Sequence, residues 1–249
     1  MGLVVEELEE LGVIRLSRWV FNCYVIRTDD GGAVVVDAGL PQTPDDVAPY
    51  LDRLDGPVHA IVATHGHSDH VAGAAEVARR YEAPILLPAK TITYLDGIQP
   101  RTPTAAAAAR IWPTLLDQSL DRRGIGGLIS GSRIAGYGTP AGMRWSGPLP
   151  AGGLSDGEQL PGAPAWTVIE VPGHTDDSVA FWNPEARLLL SGDAVLSARG
   201  RAWHTPETVD DGEATRTRTR LEQLAVAHLL PGHGRPVHQP TSVWEHQRR

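Results

Sequence analysis

Short runs rich in Val and Ile alternate along the chain with segments of helical periodicity. Residues 11–19, 22–27 and 33–37 carry β-branched and aromatic side chains, and Asp29-Asp30-Gly31-Gly32 breaks the last two. This pattern predicts three short strands, the second and third forming a hairpin. Thr43-Pro44-Asp45-Asp46 precedes Val47, Tyr50, Leu51 and Leu54 and predicts a helix start with Thr43 as its cap. Residues 59–63 predict a strand that runs into a polar cluster, 71–81 a helix and 85–87 another strand. The later chain repeats this order, with strands at 166–171, 179–182 and 188–191, a helix over about 213–226 and a strand at 228–230. The fold class expected is α/β in one domain spanning 1–249.

The texture changes over about 91–164, which reads as a variable insertion on the substrate side. An Ala-rich helical piece covers 104–118 with Pro113 inside it, followed by Gly124, Gly126, Gly127, Gly131, Gly136 and Gly138. The glycines predict either a loosely ordered surface excursion or a lid over a pocket. Tyr94, Trp112, Tyr137 and Trp145 could wall such a pocket or hold the segment's own small core.

Composition narrows the function classes. No apolar stretch approaches the roughly 20 residues that cross a bilayer, and the acidic start Met1 to Glu7 lacks the basic and apolar regions of a secretory signal. The expectation is a cytoplasmic protein without membrane association. Cys23 is the only cysteine, which excludes an internal disulfide and a thiolate-rich metal site and suits a core position. With 30 Asp and Glu against 22 Lys and Arg, the formal charge is -8 and gives no reason to bind nucleic acid. Arg216, Arg218 and Arg220 alternate with Thr and read as a solvated helix face. A small-molecule substrate is the expected partner, and the oligomeric state stays open.

The candidate chemistry sits in Thr64-His65-Gly66-His67-Ser68-Asp69-His70, directly after the predicted strand 59–63. A sheet holds residues at a strand end while their side chains project from its edge. Imidazole and carboxylate are donors that zinc, iron and manganese accept, so this turn can present several ligands at once. Asp37, His174, Asp193 and His233 repeat the pattern of a polar residue at the end of an apolar strand with glycine at hand. Singly each could merely close a turn. Together with the cluster they form the set that a two-metal site requires.

These motifs resemble the metallo-β-lactamase superfamily from about residue 11 to His233, apart from the middle segment. The resemblance implies a four-layer αββα sandwich with metals at one edge of its two sheets. It implies one metal on His65, His67 and His174, a second on Asp69, His70 and His233, and Asp193 as the bridge. It also implies that Asp37 orients ligands from behind. The ligand set and the Pro-Gly-His-Thr turn are similar to those of glyoxalase II, without a helical substrate domain after His233. Substrate recognition is then expected from 91–164 and the 195–211 loop. Best-known secreted metallo-β-lactamases have cysteine where Asp193 stands here.

The function expected is a metal-dependent hydrolase of a small ester, thioester, lactone or phosphodiester. Its nucleophile would be a hydroxide shared by two divalent cations, zinc first, with iron or manganese able to compete at the aspartate-rich site. Asp69 is counted among the catalytic residues through its place at the second metal. His204, in the loop after Asp193, is a candidate proton donor or substrate contact. The alternative is a mononuclear iron oxidoreductase similar to persulfide dioxygenases. His59, His228, His238 and His246 receive no functional role.

Overall fold

The computed structural model describes residues 2–138 and 142–245; His246 lies outside the described residues. A seven-stranded sheet runs in the order Val4–Leu8, Val13–Arg18, Phe21–Arg27, Ala33–Val36, Val58–Val62, Ile85–Pro88 and Gly152–Leu154. The first four strands are antiparallel, and from Ala33–Val36 onward the neighbours are parallel. A six-stranded sheet runs Gln159–Leu160, Ala163–Glu170, Val179–Asn183, Leu188–Gly192, His228–Pro231 and Val237–His238. Its single parallel pair is Leu188–Gly192 with His228–Pro231.

The strand alternation explains the layering. Val34 and Val36 face a core shared with Val168, Phe181, Leu190 and Leu230 of the other sheet. Val35 faces the opposite way, towards Val47, Leu51 and Val77 of the helices Thr43–Leu51 and Ala74–Tyr81. On the far side, Leu189 and Leu229 pack against Leu221 of the helix Asp211–Leu221 and against Trp244. Each sheet is thus buried on both faces, which is why Ala33–Val36 and Leu188–Gly192 read as continuous apolar runs. The result is helix, sheet, sheet, helix. Cys23 is buried in the core that holds Val35, Val47 and Val77. No helix among the described residues is long and apolar enough to cross a membrane.

Several local expectations change. Val4–Leu8 is an additional edge strand. Thr43 is not the helix cap: Gln42 stands there, and the Thr43 hydroxyl accepts from the Leu40 N–H at 3.1 Å. The expected helix 71–81 starts earlier and divides into Ser68–Val71 and Ala74–Tyr81. Its break is Gly73, whose N–H bonds Ala38 O at 2.8 Å and whose Cβ, if present, would lie 2.4 Å from Leu40 O.

The stretch 104–118 breaks into Ala105–Ala108, a 3-10 turn Ala109–Ile111 and Trp112–Leu115, since Pro113 has no N–H to extend the earlier ladder. The glycine-rich stretch is not a loose excursion. Arg122–Gly131 is a helix capped by the Asp121 carboxylate, which accepts from Arg123 N–H at 3.0 Å. Gly124, Gly127 and Gly131 let it approach Arg18, Gln42 and the Pro41–Ala72 contact closely. The expected 195–211 loop contains a hairpin, Val195–Ala198 with Arg201–His204.

Candidate metal centre

Parallel neighbours deliver their C-terminal ends to one edge of a sheet. Ala33–Val36 and Val58–Val62 lead into Asp37 and the 64–70 turn, while Leu188–Gly192 and His228–Pro231 lead into Asp193 and His233. The two edges are joined by Val179 N–H donating to Thr64 O (2.7 Å), Asn22 N–H to Gly232 O (3.1 Å) and the Tyr24 hydroxyl to Pro231 O (2.6 Å).

Close approach depends on glycine at two points. A Cβ on Gly39 would sit 1.6 Å from Asp69 O, and one on Gly232 would sit 2.3 Å from Asp193 Oδ1.

All seven residues anticipated as ligands converge there. Three sets could each hold a cation, with donor atoms within 4.8 Å of one another: His65, His67 and His174; Asp69, His70 and His233; and, between them, His65, His70 and Asp193. His174 Nε2 lies 3.4 Å from His67 Nδ1. Asp193 Oδ2 lies 3.0 Å from His233 Nε2 and 3.6 Å from His174 Nε2, so one carboxylate faces both triads. Asp69 Oδ2 is 3.3 Å from His233 Nε2.

The donor set fits divalent cations. Among the described residues, His65 and His70 Nε2 and Asp193 Oδ1 are buried without a hydrogen-bond partner, and His67 turns its Nδ1 towards His174 Nε2. Such atoms are costly unless something satisfies them, and a cation accepting their lone pairs does so. The opposite ring nitrogens are engaged: His70 Nδ1 pairs with Asp37 Oδ2 at 2.9 Å, and His174 Nδ1 donates to Glu207 O at 2.7 Å. Bonds of this kind fix which nitrogen faces inward. Asp37 also accepts from Thr64 N–H (2.7 Å) and the Thr64 hydroxyl (2.9 Å).

Burial, with help from His174, lowers His67 to about 3, and burial beside His70 and His67 holds His65 well below its ordinary value. Both rings are therefore neutral, as ligands must be. Burial alone would lower His70 and His233, but their carboxylates reverse that. Asp37 and Asp193 hold His70 well up, and Asp193 and Asp69 raise His233 to about 10. Asp193 and Asp69 are pulled below the carboxylate range despite burial, Asp193 chiefly by His233 and His70, and Asp69 by its hydrogen bond with His233 and by His70.

His204 does not join the group. It pairs with Val195 across the hairpin, so it shares the face of Val195 that packs in the outer core with Leu221 and Trp244. Its ring stacks on Trp244 at 5.4 Å, with Nε2 3.6 Å from Glu222. Trp112 is half exposed, whereas Tyr94 and Tyr137 are buried against each other. His59 bonds Asp30, and His228 bonds His238.

Two functional candidates escaped the sequence reading. The partly buried Glu207 carboxyl lies within electrostatic reach of His174, Asp193, His233 and Asp69, and burial raises its pKa. It has no hydrogen-bond or ion-pair partner among the described residues, and no sequence signal marked it. Asp177, three residues after His174, is buried and accepts from the backbone of Gly66. The doubled acid in His174-Thr175-Asp176-Asp177 was its only mark.

A profile of the metallo-beta-lactamase superfamily matches residues 18–233. The chain belongs to this superfamily. Within it, the chain is 25% identical over 252 residues to the probable metallo-hydrolase YflN of Bacillus subtilis, covering 91% of this chain and 85% of the relative. The crystal structure of TTHA1623 in a di-iron-bound form is similar with a TM-score of 0.57 and 25% identity, covering 90% of this chain and 92% of that one. The metallo-beta-lactamase DIM-1 shares the fold at a TM-score of 0.62 and 16% identity, covering 96% of this chain and 92% of its own. As a superfamily member the chain is a metallo-hydrolase by class, with His and Asp groups that could hold divalent metal.

Proposed function

We propose that this chain is a binuclear metallo-hydrolase that cleaves a small ester, thioester, lactone or phosphodiester. The observation that carries the reading is Asp193, whose Oδ2 faces His233 and His174 at once while its Oδ1 stands 3.6 Å from His70 Nε2. A mononuclear site has no need of a carboxylate poised between two complete triads. His65, His67 and His174 would hold one cation, and Asp69, His70 and His233 the other. Two divalent cations so placed would supply a water of lowered pKa and a Lewis acid for the substrate oxygen.

The chain's own residues do the rest. Asp37 fixes the His70 ring, and the Glu207 carbonyl fixes that of His174. The buried His65 and His67 stay unprotonated and free to coordinate. The Glu207 carboxylate, unpaired beside the triads, would accept a hydrogen bond from substrate and set its orientation.

Zinc is the first expectation. The oxygen-rich second triad also suits iron or manganese, and TTHA1623 supports iron as a competitor through its di-iron form. Elemental analysis of purified protein, with a screen of lactone, thioester, ester and phosphodiester substrates, tests the reading. Two cations per chain and metal-dependent hydrolysis are expected. One iron per chain with thiol-dependent oxygen uptake would replace it with a persulfide-dioxygenase-like oxidoreductase.

A further inference from the structure

We propose that Asp177 is a positioning residue for the first triad, clamping the His65-Gly66-His67 turn to Thr91 and Tyr137 of the 91–164 segment; this rests on the metal-centre reading above. Asp177 Oδ2 accepts from Gly66 N–H at 3.0 Å and from the Thr91 hydroxyl at 2.6 Å, and Oδ1 accepts from the Tyr137 hydroxyl. All three side chains are buried. A buried carboxylate with three donors is a fixed object, since moving it would leave each donor unsatisfied.

Tyr137 grips the same turn a second time through its backbone. Its N–H donates to Gly66 O at 3.0 Å, and its carbonyl accepts from Ser68 N–H at 3.2 Å. His67 is thereby held from both sequence neighbours, and its ring meets the Tyr137 ring edge-on at 4.7 Å. Gly66 fills the remaining space, for a Cβ there would lie 2.7 Å from Thr91 Cγ2 and 2.8 Å from Tyr137 Cε1.

The clamp also spans the two sheets. Asp177 belongs to the turn that carries His174, while Gly66 lies between His65 and His67. One carboxylate therefore sets the separation of the two turns that supply the first triad. The second triad does not touch Asp177: Val20 O is 3.3 Å from His233 Nδ1, and Asp37 stands behind His70, reaching His65 only through the Thr64 hydroxyl. Through Thr91 and Tyr137 the 91–164 segment is on this view part of the metal loop's frame.

The test is cobalt(II) titration of the full chain, read by ligand-field absorption and chelator competition, with His174→Ala and His233→Ala marking which site is which. In Asp177→Asn the amide either faces the Gly66 N–H or turns to Tyr137 and takes away the acceptor of its hydroxyl, and affinity at the first site is expected to fall about 10–100-fold, as for other groups behind metal ligands. The second site should keep its value. Tyr137→Phe keeps the ring, removes one donor and should shift the first site in the same direction by less. Equal weakening of both sites, or no weakening in a variant that melts like the parent, overturns the clamp alone. A parent chain that binds no cobalt overturns both the clamp and the metal centre.

Discussion

Asp37 Oδ2 stands 2.9 Å from His70 Nδ1, and each side chain is 1% exposed. Asp37 reaches this position from a left-handed backbone, at φ 55°, just beyond the strand Ala33–Val36. Asparagine tolerates that conformation, so Asp37→Asn removes the charge with little backbone strain. It should lower cation affinity at the second site about 10–100-fold. It should also destabilise the metal-free protein by about 3–5 kcal/mol, because a buried ion pair loses one partner. Cobalt titration and urea unfolding of metal-free protein read the two effects. An unchanged second site would show that His70 needs no support from behind.

The ligand assignment itself is open to direct measurement. Asp69→Ala and His174→Ala each delete a donor from a different triad, so each should reduce bound metal by about one ion per chain. Hydrolysis should fall by orders of magnitude in both. Metal content equal to the parent in either variant would remove that residue from the set.

His204 and Glu207 make opposite predictions. His204→Ala should keep metal content and turnover, with a loss of about 1–2 kcal/mol in stability from the lost Trp244 stack and burial. Glu207→Gln should keep both metals but raise KM several-fold for substrates that carry a hydrogen-bond donor near the scissile bond. Steady-state kinetics on matched substrates with and without that donor separates the two. A reversed pattern would return the proton-donor role to His204.

The stability of the metal-free protein should peak near pH 6.5. His67 is lowered from 6.5 to about 3, so the unfolded chain takes up the proton first, and this contribution is lost as pH falls from about 6.5 towards 3. His233 is raised from 6.5 to about 10, so its contribution is complete below 6.5 and is lost as pH rises towards 10. Melting temperature against pH, with and without added zinc, checks this. Zinc should flatten the alkaline side, since the cation takes the place of the proton beside Asp193. A metal-free profile flat from pH 6.5 to 10 would contradict the charge assignment of His233.

Gly232→Ala tests how tightly the edge is drawn. The added Cβ would fall 2.3 Å from Asp193 Oδ1 and 2.9 Å from His70 Cε1. The bridging carboxylate must move, so bound metal should drop below two per chain, with a cost of about 1–3 kcal/mol from overpacking. A crystal structure or metal analysis of the variant decides it.

What the sequence determined by itself was local. The run His65 to His70 after an apolar strand, and Asp37, Asp193 and His233 at other strand ends, were legible because a sheet edge is written into the order of apolar runs and turns. The strand and helix order of both halves was legible for the same reason, since burial on both faces leaves continuous Val and Leu runs. Tertiary structure decided what depends on distance or facing. Asp177 meets Gly66 across 111 residues, and Tyr137 across 40. His204 follows Asp193 closely in the chain but is turned outward, because hairpin register, not sequence distance, sets the face of a side chain. The glycine-rich stretch read as a surface excursion or a lid, and only the packing showed that Gly124 and Gly131 let the helix Arg122–Gly131 lie against Arg18 and Ala72.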